Sequence, residues 1–260
     1  MNMLALVALS LAVCDDKEAV EKAVAKAAAY ESYAFKGETE FQSQFGNLPS
    51  QVPSMDGKYQ KDSGMHIKTE RGEFFRKGER ILVKQGQSDW TDLADMKAPT
   101  PPADAPPKKR AGRGGGVGFA QAMMRNFKAP HDDLKDLAKN FKEVKKQEKT
   151  EKIGEVDCTV YGGDLTDESM KSSPLGRMLG MFGGANADVK GSGRIFIDGA
   201  GSILVYEITT KATVELQGNQ IDFSLVRRSE ISEVGKVKVE IPEGVQKLLD
   251  NKVKTEDKKE

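Results

Sequence analysis

The chain has 260 residues, enough for one large domain or two small ones. Its 40 Lys and Arg balance 40 Asp and Glu, so no net field draws the whole molecule to nucleic acid or to anionic lipid. A charged fraction of 31% beside 38% apolar residues is thin for a densely packed enzyme core, though still globular.

The chain opens on an uncharged run, Met3 to Val13, which stops at Cys14 before Asp15-Asp16-Lys17-Glu18. As a helix that run spans ~16 Å, about half of the ~30 Å hydrocarbon core. It is too short for a stable span and has the size of a signal-peptide apolar region. Leu11-Ala12-Val13-Cys14 resembles a bacterial lipobox, with Val13 where that pattern has Gly, Ala or Ser. The resemblance implies that residues 1–13 are a signal peptide and that Cys14 is diacylated. The product would be anchored in a membrane of the cell envelope, facing the periplasm or the exterior. A buried N-terminal core segment is the alternative, and the charge block after Cys14 opposes it. With Cys14 lipidated, Cys158 has no intramolecular partner and reads as a small buried apolar side chain.

Asp16 to Tyr30 carries Ala19, Val20, Ala23, Val24, Ala27 and Ala28 at helical spacing, which predicts an amphipathic helix with an acidic first turn. The period then changes to two. Tyr33, Phe35, Gly37, Thr39, Phe41, Ser43 and Phe45 fall on one face of a long strand. Turn signals at Asp56-Gly57, Asp62-Ser63-Gly64, Arg71-Gly72, Lys77-Gly78 and Gly86-Gln87-Ser88 punctuate short strands as far as Trp90. That spacing leaves no room for crossover helices, so the sheet is expected to be antiparallel.

Five of the ten prolines lie between Pro99 and Pro107, ahead of Lys108-Lys109-Arg110-Ala111-Gly112-Arg113. The stretch 97–118 therefore reads as a disordered insertion within a single domain spanning 14–252. Two domains divided there is the alternative. Helices are expected at Phe119 to Phe127 and Asp132 to Phe141, a strand at Val156 to Tyr161, and a further helical stretch from Thr166 to Phe182. The clearest alternation is Leu204, Tyr206, Ile208, Thr210, Ala212, Val214 and Leu216. Gln217-Gly218-Asn219 turns it into Ile221, Phe223 and Leu225, a long hairpin. Pro242 opens a last helix to Leu249, and 253–260 reads as a disordered charged tail.

Known chemical signatures fail one by one. The glycines from Gly112 to Gly118 follow no strand and lack the spacing of a dinucleotide motif. His66 and His131 have no companion at a zinc spacing, and no G-x-S-x-G elbow is present. No catalytic residue, metal or cofactor is expected, and the chain reads as a non-enzyme. Lys108, Lys109, Arg110 and Arg113 are either a solvated linker or a contact for anionic lipid headgroups, at ~1 kcal/mol per residue near such a surface. Met178, Leu179 and Met181, with glycines at 176, 180, 183 and 184, suit either ordinary packing or a loose lid.

The whole order, from lipobox and amphipathic helix through strands around Ser32-Tyr33-Ala34-Phe35-Lys36-Gly37 and hairpins through Gly72 to Gly78, ends in Val239 to Leu249. It resembles the LolA/LolB-like and LppX/LprG-like bacterial lipoproteins. That resemblance implies an α+β fold, a strongly curved antiparallel sheet (a half-open β-barrel) with helices covering the concave side. It also implies carriage of lipid or lipoprotein acyl chains, with a membrane reached through the N-terminal anchor, no nucleic acid and a monomeric chain. The expected cavity lining is Phe35, Phe41, Met178, Leu179, Met181, Leu204, Tyr206, Ile208, Phe223 and Leu225. A non-catalytic envelope scaffold or sensor on the same half-barrel is the alternative.

Overall fold

The alternating runs pair into one open, 12-stranded sheet in which every pairing is antiparallel. The computed structural model describes residues 15–43, 51–96, 127–181, 188–216 and 219–256. Its strands are β1 (Ser32–Ser43), β2 (Gln51–Gln60), β3 (Gly64–Thr69), β4 (Gly72–Lys77), β5 (Arg80–Gln85) and β6 (Thr91–Asp92). After them come β7 (Lys145–Lys146), β8 (Glu151–Ile153), β9 (Val156–Asp164), β10 (Asp188–Asp198), β11 (Ile203–Leu216) and β12 (Asn219–Ser232). The helices are α1 (Asp16–Ala28), α2 (Pro130–Asn140), α3 (Asp167–Lys171), α4 (Pro174–Met181) and α5 (Glu243–Glu256).

Two meanders make the sheet. One runs outward from β1 through β2 to β6, the other from β12 through β11 to β9, β7 and β8. The first and last long strands join them, Phe35 opposite Ile231 and Phe41 opposite Leu225. Strands from both sides of the proline-rich stretch thus share a single curved, half-open sheet. The fold is α+β.

Helix α1 forms where Asp15 caps it, its carboxylate accepting from the Lys17 amide at 3.2 Å. The helix buries Val20, Ala23, Val24 and Ala27, the inner part of the predicted stripe. With Leu134 and Leu137 of α2 this stripe packs on the inner face of the sheet, against Tyr33, Phe35, Ile67, Ile195, Tyr206, Ile208 and Ile231. Burying such a side chain fully contributes roughly 1.5–3 kcal/mol, so this cluster is the main source of stability. Among the described residues the outer face is covered only locally. Val239, Val245 and Leu248 of the C-terminal segment and α5 cover Phe75 and Leu82. Cys158, Val160, Phe196 and Val205 form another outer patch, beside the Arg194, Glu207 and Arg228 ion pairs.

Three local expectations give way. Asp56-Gly57 is no turn: Gly57 lies inside β2 opposite Phe35. A Cβ there would stand 2.0 Å from the Phe35 ring, so glycine makes room for the aromatic side chain of the neighbouring strand. The final helix runs on to Glu256 rather than stopping at Leu249, taking in the start of the expected tail. The helical stretch after Thr166 is two helices, separated at Ser172-Ser173. The expected signal peptide, Cys14, the 97–118 insertion and most of the 119–127 helix lie outside the described residues.

Candidate functional site: an apolar compartment beneath a short helix

Alternation carries the inner face of β1, β11 and β12 beyond the region that α1 and α2 fill. There Ala212 and Val214 of β11, Ile221 and Phe223 of β12, and Leu175 and Leu179 of α4 make a second apolar cluster. Phe41, Val189 and Leu225 pack around it half-buried, with the Phe41 and Phe223 rings 6.2 Å apart. One half of the inner face is therefore covered by two longer helices. Among the described residues the other half is covered by a single short one.

Helix α3 is fixed firmly before α4 begins. Thr166 caps it, its Oγ1 accepting from the Ser169 amide at 3.4 Å. Met170, 4% exposed, drops into the first cluster. It lies over Gly191, where an added Cβ would come within 2.0 Å of the Met170 sulfur. The chain then breaks at Ser172-Ser173 and restarts with Pro174. Gly176 is required by this corner, since a Cβ there would meet the Met170 carbonyl oxygen at 2.3 Å. Its role is close approach, not the loosening read from composition. An isolated helix this short is marginal in water, so α4 depends on its packing, to which Leu175 and Leu179 contribute on the order of 3–6 kcal/mol together.

Between the two clusters runs a polar belt. Thr39 of β1, Arg227 of β12 and Ile208 of β11 lie side by side, and Thr39 and Thr210 are buried. Arg227 Nη2 donates to Asp133 of α2 at 3.3 and 3.5 Å, and the Tyr206 hydroxyl donates to the same carboxylate at 3.2 Å. Burial, with the Asp133 charge beside it, pushes the Tyr206 hydroxyl well above the usual tyrosine range, so it stays a donor. The structure also carries open grooves. One of about 810 Å³ runs between the outer face and residues 233–242, lined by Lys36, Asp56, Lys58, His66 and Glu73 among others. Another, of about 570 Å³, is lined by Gln42, Lys190, Lys211 and Ser224, together with Ala212 and Phe223 of the second cluster. Charged and polar residues outnumber apolar ones in both linings.

The expected lining residues divide accordingly. Phe35, Tyr206 and Ile208 lie in the cluster filled by α1 and α2. Phe41, Leu179, Phe223 and Leu225 belong to the compartment beneath α4. Leu204 does not share a face with Tyr206 and Ile208. The β10–β11 register shifts between Phe196 and Ile197, which face Val205 and Ile203 and leave Leu204 as the extra residue of a β-bulge. Its side chain packs with Val160, Phe196 and Val205 on the outer face. The Met178 and Met181 side chains, with Lys108, Lys109, Arg110 and Arg113, lie outside the described residues. Alternation from Ile221 through Leu225 does reach Arg227. Asp133 carries no comparable signal, because its partners come from the other end of the chain.

No family model matches the sequence, and no curated protein matches it. Among solved structures the chain is similar to a LolA superfamily protein from Nitrosomonas europaea. The two are 9% identical with a TM-score of 0.29, over 87% of this chain and 95% of that one. At that TM-score nothing of function is carried across. Among the described residues no group of three or more His, Cys, Asp or Glu is placed to hold a metal ion. No helix there is long and apolar enough to cross a membrane.

Proposed function

We infer that this protein binds acyl chains of lipids or lipoproteins in the compartment beneath α4, as an envelope carrier tethered through Cys14. The observation that carries the reading is the divided inner face. The part under α1 and α2 is filled by their side chains, whereas the part beyond the polar belt is covered, among the described residues, by Leu175 and Leu179. Magnitudes favour opening. Each CH₂ moved from water into apolar surroundings gains ~0.8 kcal/mol, so a long chain gains on the order of 10 kcal/mol. That exceeds what two leucines contribute to holding α4 closed. A ligand lying where they lie would stabilise the open form by more than those two side chains contribute to the closed one.

Lipid extraction and mass spectrometry on the purified full chain test this reading. Bound acyl lipid is expected in the wild type and its loss in Ala212→Phe, which fills the floor of the compartment. An unliganded mass in every preparation would oppose it and favour the envelope scaffold, for which the filled half of the inner face also speaks. The tether is tested separately: metabolic labelling with a fatty acid should mark the protein and fail to mark Cys14→Ser.

A further inference from the structure

We propose that the compartment selects a single-chain anionic amphiphile, a free fatty acid, whose carboxylate is held by Arg227 at the inner end of the apolar row. The inference rests on the acyl-chain reading above and adds the headgroup. Arg227 lies on the same face as Ile221, Phe223 and Leu225, one alternation step beyond Leu225. From Ile221 to Arg227 the row runs roughly 20 Å along the strand, the scale of one long extended acyl chain. An apolar row ending at a guanidinium matches a tail ending at a carboxylate.

The arginine keeps capacity for that second anion. Among the described residues only its Nη2 is used, at 3.3 and 3.5 Å from the two Asp133 oxygens. Both distances exceed those of a strong charge-assisted bond, and the paired fork that a planar carboxylate accepts from a guanidinium is not formed. The side chain is 32% exposed and that of Asp133 19%, so a headgroup has access without unpacking the first cluster. The Tyr206 hydroxyl, also on Asp133, keeps that carboxylate partnered when the guanidinium turns toward ligand. Pinning α2 to the sheet is the simpler role for Arg227, and the two roles differ in what they discriminate. A pin has no preference between headgroups.

The test is native mass spectrometry of the full chain, stripped of lipid and offered equimolar oleate and oleyl alcohol, which differ only in the headgroup. Oleate is expected to bind roughly tenfold more than the alcohol, the worth of one charge-assisted contact. Arg227→Gln should abolish that preference and leave alcohol binding intact. Asp133→Asn, which frees the guanidinium, should widen it, and this variant serves if Arg227→Gln does not fold. Equal binding of both ligands by the wild type would overturn the headgroup assignment while sparing the acyl-chain reading. Binding of neither would overturn both.

Discussion

His131, in the first turn of α2, packs its ring against a stacked pair of tyrosines, with Tyr59 4.6 Å and Tyr33 5.9 Å away between ring centroids. The Tyr33 hydroxyl lies 2.7 Å from His131 Nδ1. Asp132 stands 3.5 Å from Nε2, which favours the proton on Nε2 and makes Nδ1 the acceptor. Burial pushes the Tyr33 hydroxyl far above its usual range, so it remains a donor. Burial likewise holds His131 below the ordinary imidazole value, against the opposing pull of Asp132. The same holds for His66, where burial outweighs the Glu73 hydrogen bond. The unfolded chain takes its protons near pH about 6.5 and the folded chain only at lower pH. Unfolding therefore binds protons in that interval, and stability falls as pH drops through it. NMR titration should place both ring midpoints below about 6.5, with a melting temperature that declines below that pH; a midpoint at or above it would contradict the burial argument. Gly57 makes a second residue-scale case. Gly57→Ala must push the Phe35 ring aside within a filled cluster and should cost about 1–3 kcal/mol in urea denaturation. A change within ~0.5 kcal/mol would mean that the ring moves freely.

At the scale of elements, α4 differs from α1 and α2 in what holds it. It is short, follows a break at Ser172-Ser173 and, among its described side chains, meets the sheet through two leucines. Its amides are therefore expected to exchange hydrogen through local opening, at least tenfold faster than those of α2, whereas β11 and β12 exchange at the global rate. Equal protection of α2 and α4 would show that the covering helix does not open by itself. The long strands were readable from the sequence because alternation over many residues has few rival explanations, as β1, β11 and β12 illustrate. Bulges were not: one extra residue at Leu204 turns a side chain to the outer face without disturbing the pattern on either side. Asp56-Gly57 misled for a related reason. Glycine marks a turn or a close approach alike, and only the neighbouring strand's Phe35 decides between them.

Across the whole molecule, the half-open sheet was foreseen from the spacing of its turns and from the resemblance, and the partition of its inner face was not. Alternation assigns residues to a face but not to the helix that covers them. The pair that marks the boundary, Asp133 and Arg227, is separated by 94 residues. On the acyl-chain reading, that partition decides where the chain lies. The first cluster joins α1, α2 and the sheet around Tyr33, Phe35 and Leu134, so opening it would unfold the protein; among the described elements, the second asks that α4 move. Photolabelling tests this most directly, using a long-chain fatty acid with a diazirine near its tail and peptide mapping of the adducts. The account predicts adducts on Phe41, Leu179, Phe223 and neighbouring residues of the second cluster, competed away by oleate. Competable adducts concentrated on Tyr33, Phe35 and Leu134 would place the chain in the half taken here to be filled and contradict the account.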